Sequence, residues 1–308
     1  MKYILGVDAG ATKTTAQIAN EEGKVLATVV GAAANLQTSQ KDFKKNIKET
    51  VNVAIKESGQ EIAQFFAACF GVAGVNTSDD WQEARRLISG AVKVQSPNNL
   101  LLYNDTKIVR PACSNNEFGI TVIAGTGSNF YGINSAGQET YAGGLDYILS
   151  DEASGYWIGL NVLRAAVRSA DGRGEKSMLE DLVLEYFKIK GARALADIVY
   201  EEGYGKRDIA EISKLADEAY MKDDKVATEI LENAANEIAA GINAVAKKLD
   251  MEKENFDIVA IGGVFNSPFP FDEKVPKYMT CPNAELIICD KDPVEGAVKL
   301  ALKLIGQE

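Results

Sequence analysis

The sequence contains no histidine among its 308 residues. This absence excludes Ser–His and Cys–His nucleophile pairs, and it excludes every zinc site that depends on a histidine ligand. A general base would therefore have to be a carboxylate. A site built from oxygen ligands, without histidine or clustered thiolates, favours magnesium over zinc as the bound metal.

Cysteine and proline are also scarce, with 4 and 7 residues respectively. The cysteines show no CxxC spacing, and three of them lie in or beside apolar segments, so we expect reduced core residues in a cytoplasmic protein. They are Cys69, Cys113, Cys281 and Cys289. No signal peptide is apparent, and no apolar run approaches the ~18 residues that span a bilayer.

Basic residues are outnumbered, with 33 Lys and Arg against 44 Asp and Glu and a net charge of −11. Such a surface repels nucleic acid and anionic membranes, so neither is expected as a partner. An anionic nucleotide would have to be held by local groups. With 46% hydrophobic residues, the chain has an ordinary globular composition, and its length predicts about two domains.

The chain does contain three segments in which glycines follow an apolar stretch that predicts a strand. They are 4–14, 120–130 and 258–265. Glycine lets a backbone approach phosphate oxygens, and neighbouring hydroxyl and ammonium groups add donors. One such loop is more often a tight turn, but three in one chain favour a phosphate site. The expected nucleotide-binding residues are Gly10, Ala11, Thr12, Lys13, Gly125, Thr126, Gly127, Ser128, Gly262 and Gly263.

The order of the predicted elements repeats along the chain. Three strands over 2–30 are followed by alternating helices and strands, and this order restarts at Gly119. The repeat indicates two related α/β halves, each opening with a hairpin. Helices are inserted in the second half, over roughly 153–249, and the apolar stripe of the longest one (226–249) predicts core or a subunit interface.

These motifs together resemble the N-acetylglucosamine kinase branch of the BadF/BadG/BcrA/BcrD ATPase family, in the superfamily of sugar kinases, actin and heat-shock chaperone ATPases. The resemblance is carried by GVDAGATKT (6–14), Asn35, GVAGV (71–75), Asn104-Asp105, IAGTGSN (123–129), SDEASGYWIG (150–159), AIGGV (260–264) and PVEGA (293–297). Several of these motifs are generic alone, but their order and spacing are specific.

The resemblance implies an α/β fold of two ribonuclease-H-like (actin-like ATPase) domains around a nucleotide cleft. Residues 1–117 and 293–308 would form the first domain, and 118–292 the second with its helical insertion. It also implies ATP and Mg²⁺ as cofactors, a small-molecule amino sugar as partner, and a homodimer.

The same resemblance gives roles to individual residues. Asp8 would hold magnesium through water, although capping a turn is its alternative role. Asp105 would be the catalytic base that takes the proton of the acceptor hydroxyl, although capping the helix from Thr106 is its alternative role. The expected sugar-binding residues are Asn35, Gly74, Asn104, Asn129 and Asp151.

The chain departs from the family pattern in one place. Members usually have Gly-Gly-Trp-Gly before Gly-Asp-Glu-Gly-Ser, whereas this sequence has GGLD at 143–146 and SDEAS at 150–154. Leu145 replaces an aromatic residue and Asp146 adds a carboxylate, which could change how the C2 or C3 substituent of the sugar is recognised. N-acetylglucosamine, glucosamine and N-acetylmuramic acid are all candidates, with phosphate transfer expected at C6.

Two other classes of function remain open. Activator-type ATPases hold an iron–sulfur cluster with cysteines near the second phosphate loop, but no cysteine lies between Cys113 and Cys281 here. A non-catalytic sugar sensor would keep the fold without the chemistry, but Asp8 and Asp105 are both present.

Overall fold

The computed structural model describes residues 1–36 and 39–307, and the chain divides into two compact units. The N-terminal unit comprises Met1–Asn116 and Cys289–Glu308, and the C-terminal unit comprises Glu117–Ile288. Each unit is built around a five-stranded mixed sheet with helices packed against it.

The N-terminal unit contains β1 (Tyr3–Ala9), β2 (Lys13–Asn20), β3 (Val25–Ala32), α1 (Gln40–Glu57), β4 (Ala67–Val72), α2 (Ser78–Ser89), β5 (Leu100–Asn104), α3 (Thr106–Cys113) and α11 (Pro293–Leu302). Its strand order is β3-β2-β1-β4-β5. The strands β1, β2 and β3 form an antiparallel meander, and β4 and β5 run parallel to β1. Every residue of β4 is buried, as expected for a strand covered on both faces.

The register brings the ends of three strands to one edge of this sheet. Asp8 on β1 lies opposite Thr15 on β2 and Gly71 on β4, and Val72 at the end of β4 lies opposite Asn104 at the end of β5. The carboxyl ends of β1, β4 and β5 therefore meet, and the segments that follow them gather there.

Helices cover both faces of the N-terminal sheet. Phe43 and Ile47 of α1 pack with Phe70 on one face, and Ile108 of α3 packs with Val298 of α11 on the other. The helices α3 and α11 approach closely because position 296 is a glycine: a Cβ there would overlap the carbonyl oxygen of Ile108.

The C-terminal unit contains β6 (Gly119–Ala124), β7 (Ser128–Ile133), β8 (Glu139–Gly143), α4 (Gly155–Asp171), α5 (Leu179–Phe187), α6 (Leu195–Val199), α7 (Lys206–Glu211), α8 (Ser213–Tyr220), α9 (Lys225–Lys248), β9 (Asp257–Ile261), α10 (Phe271–Lys274) and β10 (Glu285–Ile288). Its strand order, β10-β9-β6-β7-β8, repeats the order of the first sheet. The predicted α/β fold with a duplicated unit is thereby confirmed.

The longest helix, α9, forms the centre of the core of the C-terminal unit. Its residues Ile230, Ala234, Ile238 and Ile242 are buried, which confirms that the predicted stripe is core. Although α9 has 24 residues, neither it nor another helix within residues 1–36 and 39–307 is long and apolar enough to cross a membrane.

The prediction of four reduced cysteines is wrong for two of them. Cys113, at the end of α3, forms a disulfide with Cys289, which precedes α11. The two residues lie 176 positions apart in sequence, and the packing of α3 on α11 brings their Cα atoms to 5.7 Å. Cys69 and Cys281 are free and buried, as expected.

The replacement Gly296→Ala tests the contact between α3 and α11. Alanine should gain about 1 kcal/mol in helix propensity, but overpacking against backbone atoms of α3 costs about 1–3 kcal/mol, because a backbone cannot move as a flexible side chain can. We expect a lower unfolding midpoint in thermal or urea denaturation.

Gly306→Ala is the matched control, since no atom lies within 4 Å of the added Cβ. An unchanged midpoint in both variants would contradict the proposed steric constraint.

Candidate functional site

Three backbone hydrogen bonds join the chain segments that meet at one edge of the N-terminal sheet. The amide of Ala34 donates to the carbonyl of Gly10 at 3.3 Å, that of Ala73 to Ala9 at 3.0 Å, and that of Leu36 to Ala73 at 3.2 Å. The first glycine loop (10–13), the segment with Asn35 and the segment with Gly74 are thus adjacent, although they come from distant parts of the sequence.

The first glycine loop is a tight hairpin turn. The amide of Gly10 donates to the carbonyl of Lys13 at 3.0 Å, and a Cβ at position 10 would lie only 3.2 Å from the same oxygen. Ala11, Thr12 and Lys13 are exposed. The loop therefore presents an ammonium group and a hydroxyl group to solvent, at the position that the sequence predicts for phosphate.

Beside this loop lies a cluster of three carboxylates, from Asp8, Asp105 and Asp292. The pKa of Asp8 is raised from its ordinary value of 3.8 to about 7, first by burial and then by the charges of Asp105 and Asp292, while Lys13 acts in the opposite direction. Asp292 caps α11 and lies 3.9 Å from the ammonium of Lys13. The sequence prediction missed Asp292, although an Asp before Pro293 is a helix-start signal.

The crowded carboxylates fit a bound divalent cation. Within the described ranges 1–36 and 39–307, no group of three acidic, cysteine or histidine side chains is arranged to hold a metal alone. Magnesium is commonly held by one or two carboxylates together with water and substrate phosphates. Asp8 suits that arrangement, because a bound cation would favour its ionised form, which burial and the neighbouring carboxylates disfavour.

Asp105 stands at the junction of β5 and α3. It is the N-cap of α3, with its carboxylate accepting a hydrogen bond from the amide of Thr106 at 3.0 Å. Burial raises its pKa, although the bond from Thr106 opposes that rise. The capping role expected as an alternative is therefore present, and it fixes the carboxylate at the same sheet edge as Asp8.

Asn104 is saturated by internal hydrogen bonds, which revises its predicted role. Its amide donates to the carbonyl of Val75 at 3.1 Å and to Oδ1 of Asn76 at 3.2 Å. Its Oδ1 accepts from the amide and the hydroxyl of Thr106. Because an asparagine side chain offers two donors and two acceptor positions, none is left for a sugar, and Asn104 instead anchors the turn that carries Asp105.

The other two predicted sugar residues of this unit lie side by side. Asn35 is buried, and Gly74 has a φ of +89°, a conformation that favours glycine. A Cβ on Gly74 would lie 3.5 Å from the Cβ of Leu36, next to Asn35. Both predictions are compatible with this geometry.

The second glycine loop (125–128) joins β6 to β7. Its carbonyls accept bonds from the first turn of α4, from Gly155 to Gly125 at 2.7 Å and from Tyr156 to Thr126 at 3.3 Å. Thr126 is exposed and available to a ligand. Ser128 is buried, however, and its amide and hydroxyl donate to Asp151 and to the carbonyl of Glu152, so its predicted phosphate contact is replaced by a structural role.

Asp151 is hydrogen-bonded to this loop, and Asn129 directly follows the loop in the chain. Asp151 is only 3% exposed and ties the loop to the next segment through the amide of Ser128, at 2.9 Å. Asn129 Oδ1 is buried without a hydrogen-bond partner among the described residues. A Cβ on Gly144 would lie 2.8–2.9 Å from the amide group of Asn129.

Lys206, at the start of α7, is a site residue that the sequence prediction missed. Its ammonium lies 2.6 Å from Oδ1 of Asp146 and 2.5 Å from Oδ2 of Asp151. The lysine belongs to the helical insertion and carries no motif, so no sequence signal pointed to it.

A cavity of about 310 Å³ lies within the C-terminal unit and is lined in part by Gly125 and Thr126 of the second glycine loop. Gly263 of the third glycine turn (262–263) also lines the cavity. Gly262, next to it, has a φ of +125°, and a Cβ there would overlap the carbonyl of Ala124. Gly263 faces open space. Asp217, whose pKa is raised by burial, accepts a hydrogen bond from Ser267 at 2.5 Å at the cavity wall.

The raised pKa of Asp8 predicts how stability depends on pH in the absence of metal. The folded protein keeps this carboxyl protonated up to about pH 7, whereas the unfolded chain ionises it above 3.8. The folded state therefore binds more protons between these values, and its stability falls as pH rises through the window. Asp8→Asn should be more stable than the original by on the order of 1–4 kcal/mol at pH 8, and equally stable near pH 4.

Denaturation in EDTA at both pH values measures this effect, with Glu57→Gln, at the exposed end of α1, as the control. Equal stability of Asp8→Asn and the original protein at pH 8 would show that Asp8 is not electrostatically strained.

Comparison with known proteins gives a consistent result over almost the whole chain. A profile of the BadF/BadG/BcrA/BcrD ATPase family matches residues 5–301. The chain is 32% identical, over 305 residues and 98% of each chain, to the N-acetylmuramic acid/N-acetylglucosamine kinase of Clostridium acetobutylicum. It is 28% identical, over 314 residues and 98% of each chain, to the N-acetyl-D-glucosamine kinase of Dictyostelium discoideum.

A solved structure shares the fold. A candidate N-acetylglucosamine kinase from Chromobacterium violaceum superposes with a TM-score of 0.76 at 24% identity, covering 98% of this chain and 99% of that one. At this identity the likeness establishes the fold alone, which confirms the prediction of two ribonuclease-H-like units.

Proposed function

We propose, from the premise that this chain belongs to the BadF/BadG/BcrA/BcrD ATPase family, that it is an ATP-dependent kinase acting on an amino sugar. The γ-phosphate would pass to a hydroxyl of the sugar, with C6 of N-acetylglucosamine as the expected acceptor. The proposal rests mainly on one observation: Asp8, Lys13 and Asp105 lie close together at one sheet edge. A kinase site needs a carboxylate to bind the metal, a cation to bind phosphate and a general base.

Asp105 is the proposed general base. Phosphoryl transfer demands little covalent chemistry of the protein, but the acceptor hydroxyl must be aligned with the γ-phosphate and must lose its proton as the new bond forms. Burial raises the pKa of Asp105, which makes its carboxylate a stronger proton acceptor than an exposed one. The cap on Thr106 holds it in place without occupying both oxygens.

The nucleotide would be bound by the glycine segments. The exposed residues of the first loop, with the ammonium of Lys13, would contact the terminal phosphates, and Gly125, Thr126 and Gly127 would contribute from the second loop. The cavity beside Gly262 and Gly263 has room for part of the nucleoside. Mg²⁺ near Asp8, when bound, would neutralise charge on the phosphates.

The amino sugar would be bound by Asn35, Gly74, Asn129 and Asp151. Asn129 supports this role most directly, because its buried Oδ1 has no hydrogen-bond partner in the part of the chain that the structure describes, and a sugar hydroxyl or amide could donate to it. Glucosamine and N-acetylmuramic acid remain alternative acceptors. The homodimer and the cytoplasmic location remain predictions.

The two other classes of function, an activator-type ATPase and a non-catalytic sugar sensor, have less support. An activator-type ATPase needs cysteine ligands near the second loop, but Cys113 is bonded to Cys289, and Cys69 and Cys281 are buried in cores. A sugar sensor would have no need of the strained carboxylates.

Asp105→Asn separates catalysis from structure, because asparagine caps a helix as well as aspartate does. We expect the variant to fold and to bind ATP with unchanged affinity, while sugar-dependent ADP release falls by roughly 10²–10⁴-fold, the usual contribution of a general base. A coupled assay with a panel of hexoses and amino sugars measures the rate, and calorimetry measures ATP binding.

Two results would argue against the proposal. ATP hydrolysis that is independent of every sugar in the panel would favour an ATPase of another kind. If Asp105→Asn turned over at the original rate, Asp105 would not be the general base, although the protein would still be a kinase.

A further inference from the structure

We infer that Asp292 and Thr15 belong with Asp8 to one cation site, in which they supply oxygens to a divalent metal ion or to its bound waters. The inference rests on the proposed function and deepens it, because the sequence predicts only Asp8 for the metal site. All three residues belong to the N-terminal unit.

The first turn of α11 packs on β1 beside Asp8. Gly6 precedes Asp8 by two positions in β1 and therefore faces the same side of the sheet. A Cβ added to Gly6 would lie 2.9 Å from the carbonyl oxygen of Val294, in the first turn of the helix. Asp292 caps that turn, and its charge acts on Asp8. The two carboxylates are therefore neighbours on the face of the sheet that α11 covers.

The carboxylate of Asp292 has one oxygen that is used by the helix and one that is only loosely held. Its Oδ1 accepts a hydrogen bond from the amide of Val294 at 3.3 Å, which fixes the side chain at the start of α11. Its Oδ2 lies 3.9 Å from the ammonium of Lys13, beyond the range of a hydrogen bond. Both side chains of this pair are more than a third exposed, so the pair contributes little to stability and Oδ2 stays accessible to a cation.

Thr15 places a hydroxyl on the same face of the sheet. Its Cα is paired with that of Asp8 between β1 and β2, so the two side chains point to the same side, with Cβ atoms about 4.5–5.5 Å apart. Thr15 is fully buried, and its Oγ1 has no hydrogen-bond partner among the described residues. A buried hydroxyl without a partner is costly, and valine would fill the same space without that cost. We therefore expect this hydroxyl to bond a group that binds next to Asp8.

The charges and the oxygen donors at this place suit magnesium. Asp8, Asp105 and Asp292 carry three negative charges when they are ionised. Lys13, the cation that acts on Asp8, balances one of these charges, and a divalent metal ion would balance the other two. Magnesium binds oxygen and keeps several waters, so two carboxylates and a hydroxyl leave positions for water and for substrate phosphate. Asp105 then keeps its carboxylate for the proton of the acceptor.

Binding of Mn²⁺ in the absence of nucleotide and sugar tests the inference, with the free ion measured by electron paramagnetic resonance. Mn²⁺ binds the same oxygen ligands as Mg²⁺. Asp292→Asn keeps the cap of α11 but removes the charge, and we expect the dissociation constant to rise by roughly 10–100-fold, as when a group that supports a metal site is lost. Thr15→Val should raise it by roughly tenfold, whereas Thr15→Ser, which keeps the hydroxyl, should stay near the original value.

Two control variants match these changes. Asp290→Asn removes the same charge from an exposed side chain two positions before Asp292. Thr14→Val removes another buried hydroxyl of β2 that has no partner among the described residues. Thr14 faces the other side of the sheet, because it pairs with Gly31, where an added Cβ would meet Thr50 of α1. Both variants should bind Mn²⁺ as the original protein does.

An Mn²⁺ affinity that is unchanged in either Asp292→Asn or Thr15→Val overturns the inference, and so does an equal loss in Thr14→Val and Thr15→Val. An original protein that binds no Mn²⁺ overturns it as well. If Thr15→Val fails to fold, Asp292→Asn and Thr15→Ser still decide the matter. The proposed function fails separately: an original protein without sugar-dependent ADP release is not a sugar kinase, whatever its Mn²⁺ affinity.

Discussion

The burial of the Asp8 carboxyl beside Asp105 and Asp292 is the constraint on which the proposed site of the N-terminal unit depends. Burial disfavours the ionised form of Asp8, the charges of Asp105 and Asp292 add to that effect, and Lys13 opposes it. The raised pKa of Asp8 expresses the net cost of this arrangement. A bound cation with its phosphates would stabilise the ionised form of Asp8 and so offset this unfavourable free energy. Perturbed carboxylates in such a setting are typical of a functional site rather than of a structural ion pair.

The packing of the unit serves to keep these carboxylates in place. Asp105 and Asp292 cap α3 and α11, and these two helices pack against each other through Gly296 and are joined by the disulfide of Cys113 and Cys289. The second unit repeats the sheet order.

The glycine loop of the second unit is hydrogen-bonded to the first turn of α4 and to Asp151, while Thr126 stays exposed.

The sequence predicted the repeated strands and the glycine loops well, because hairpins and strand ends depend on local patterns of glycine and apolar residues. It also singled out Asp8 and Asp105, which lie at the same sheet edge, while their roles remain predictions. It did not predict that Asn104 and Ser128 use their polar atoms internally, since a motif does not show which way a side chain turns. Lys206 and the disulfide depend on contacts between segments far apart in the chain, and no local pattern encodes them.

Asp105 is proposed to receive the proton of a sugar hydroxyl. A crystal structure with N-acetylglucosamine, Mg²⁺ and a non-hydrolysable ATP analogue would show whether its carboxylate can do so. We expect the acceptor hydroxyl at about 2.6–3.2 Å from the Asp105 carboxylate, with the terminal phosphate beyond it. A sugar bound with all its hydroxyls away from Asp105 would rule out this residue as the base.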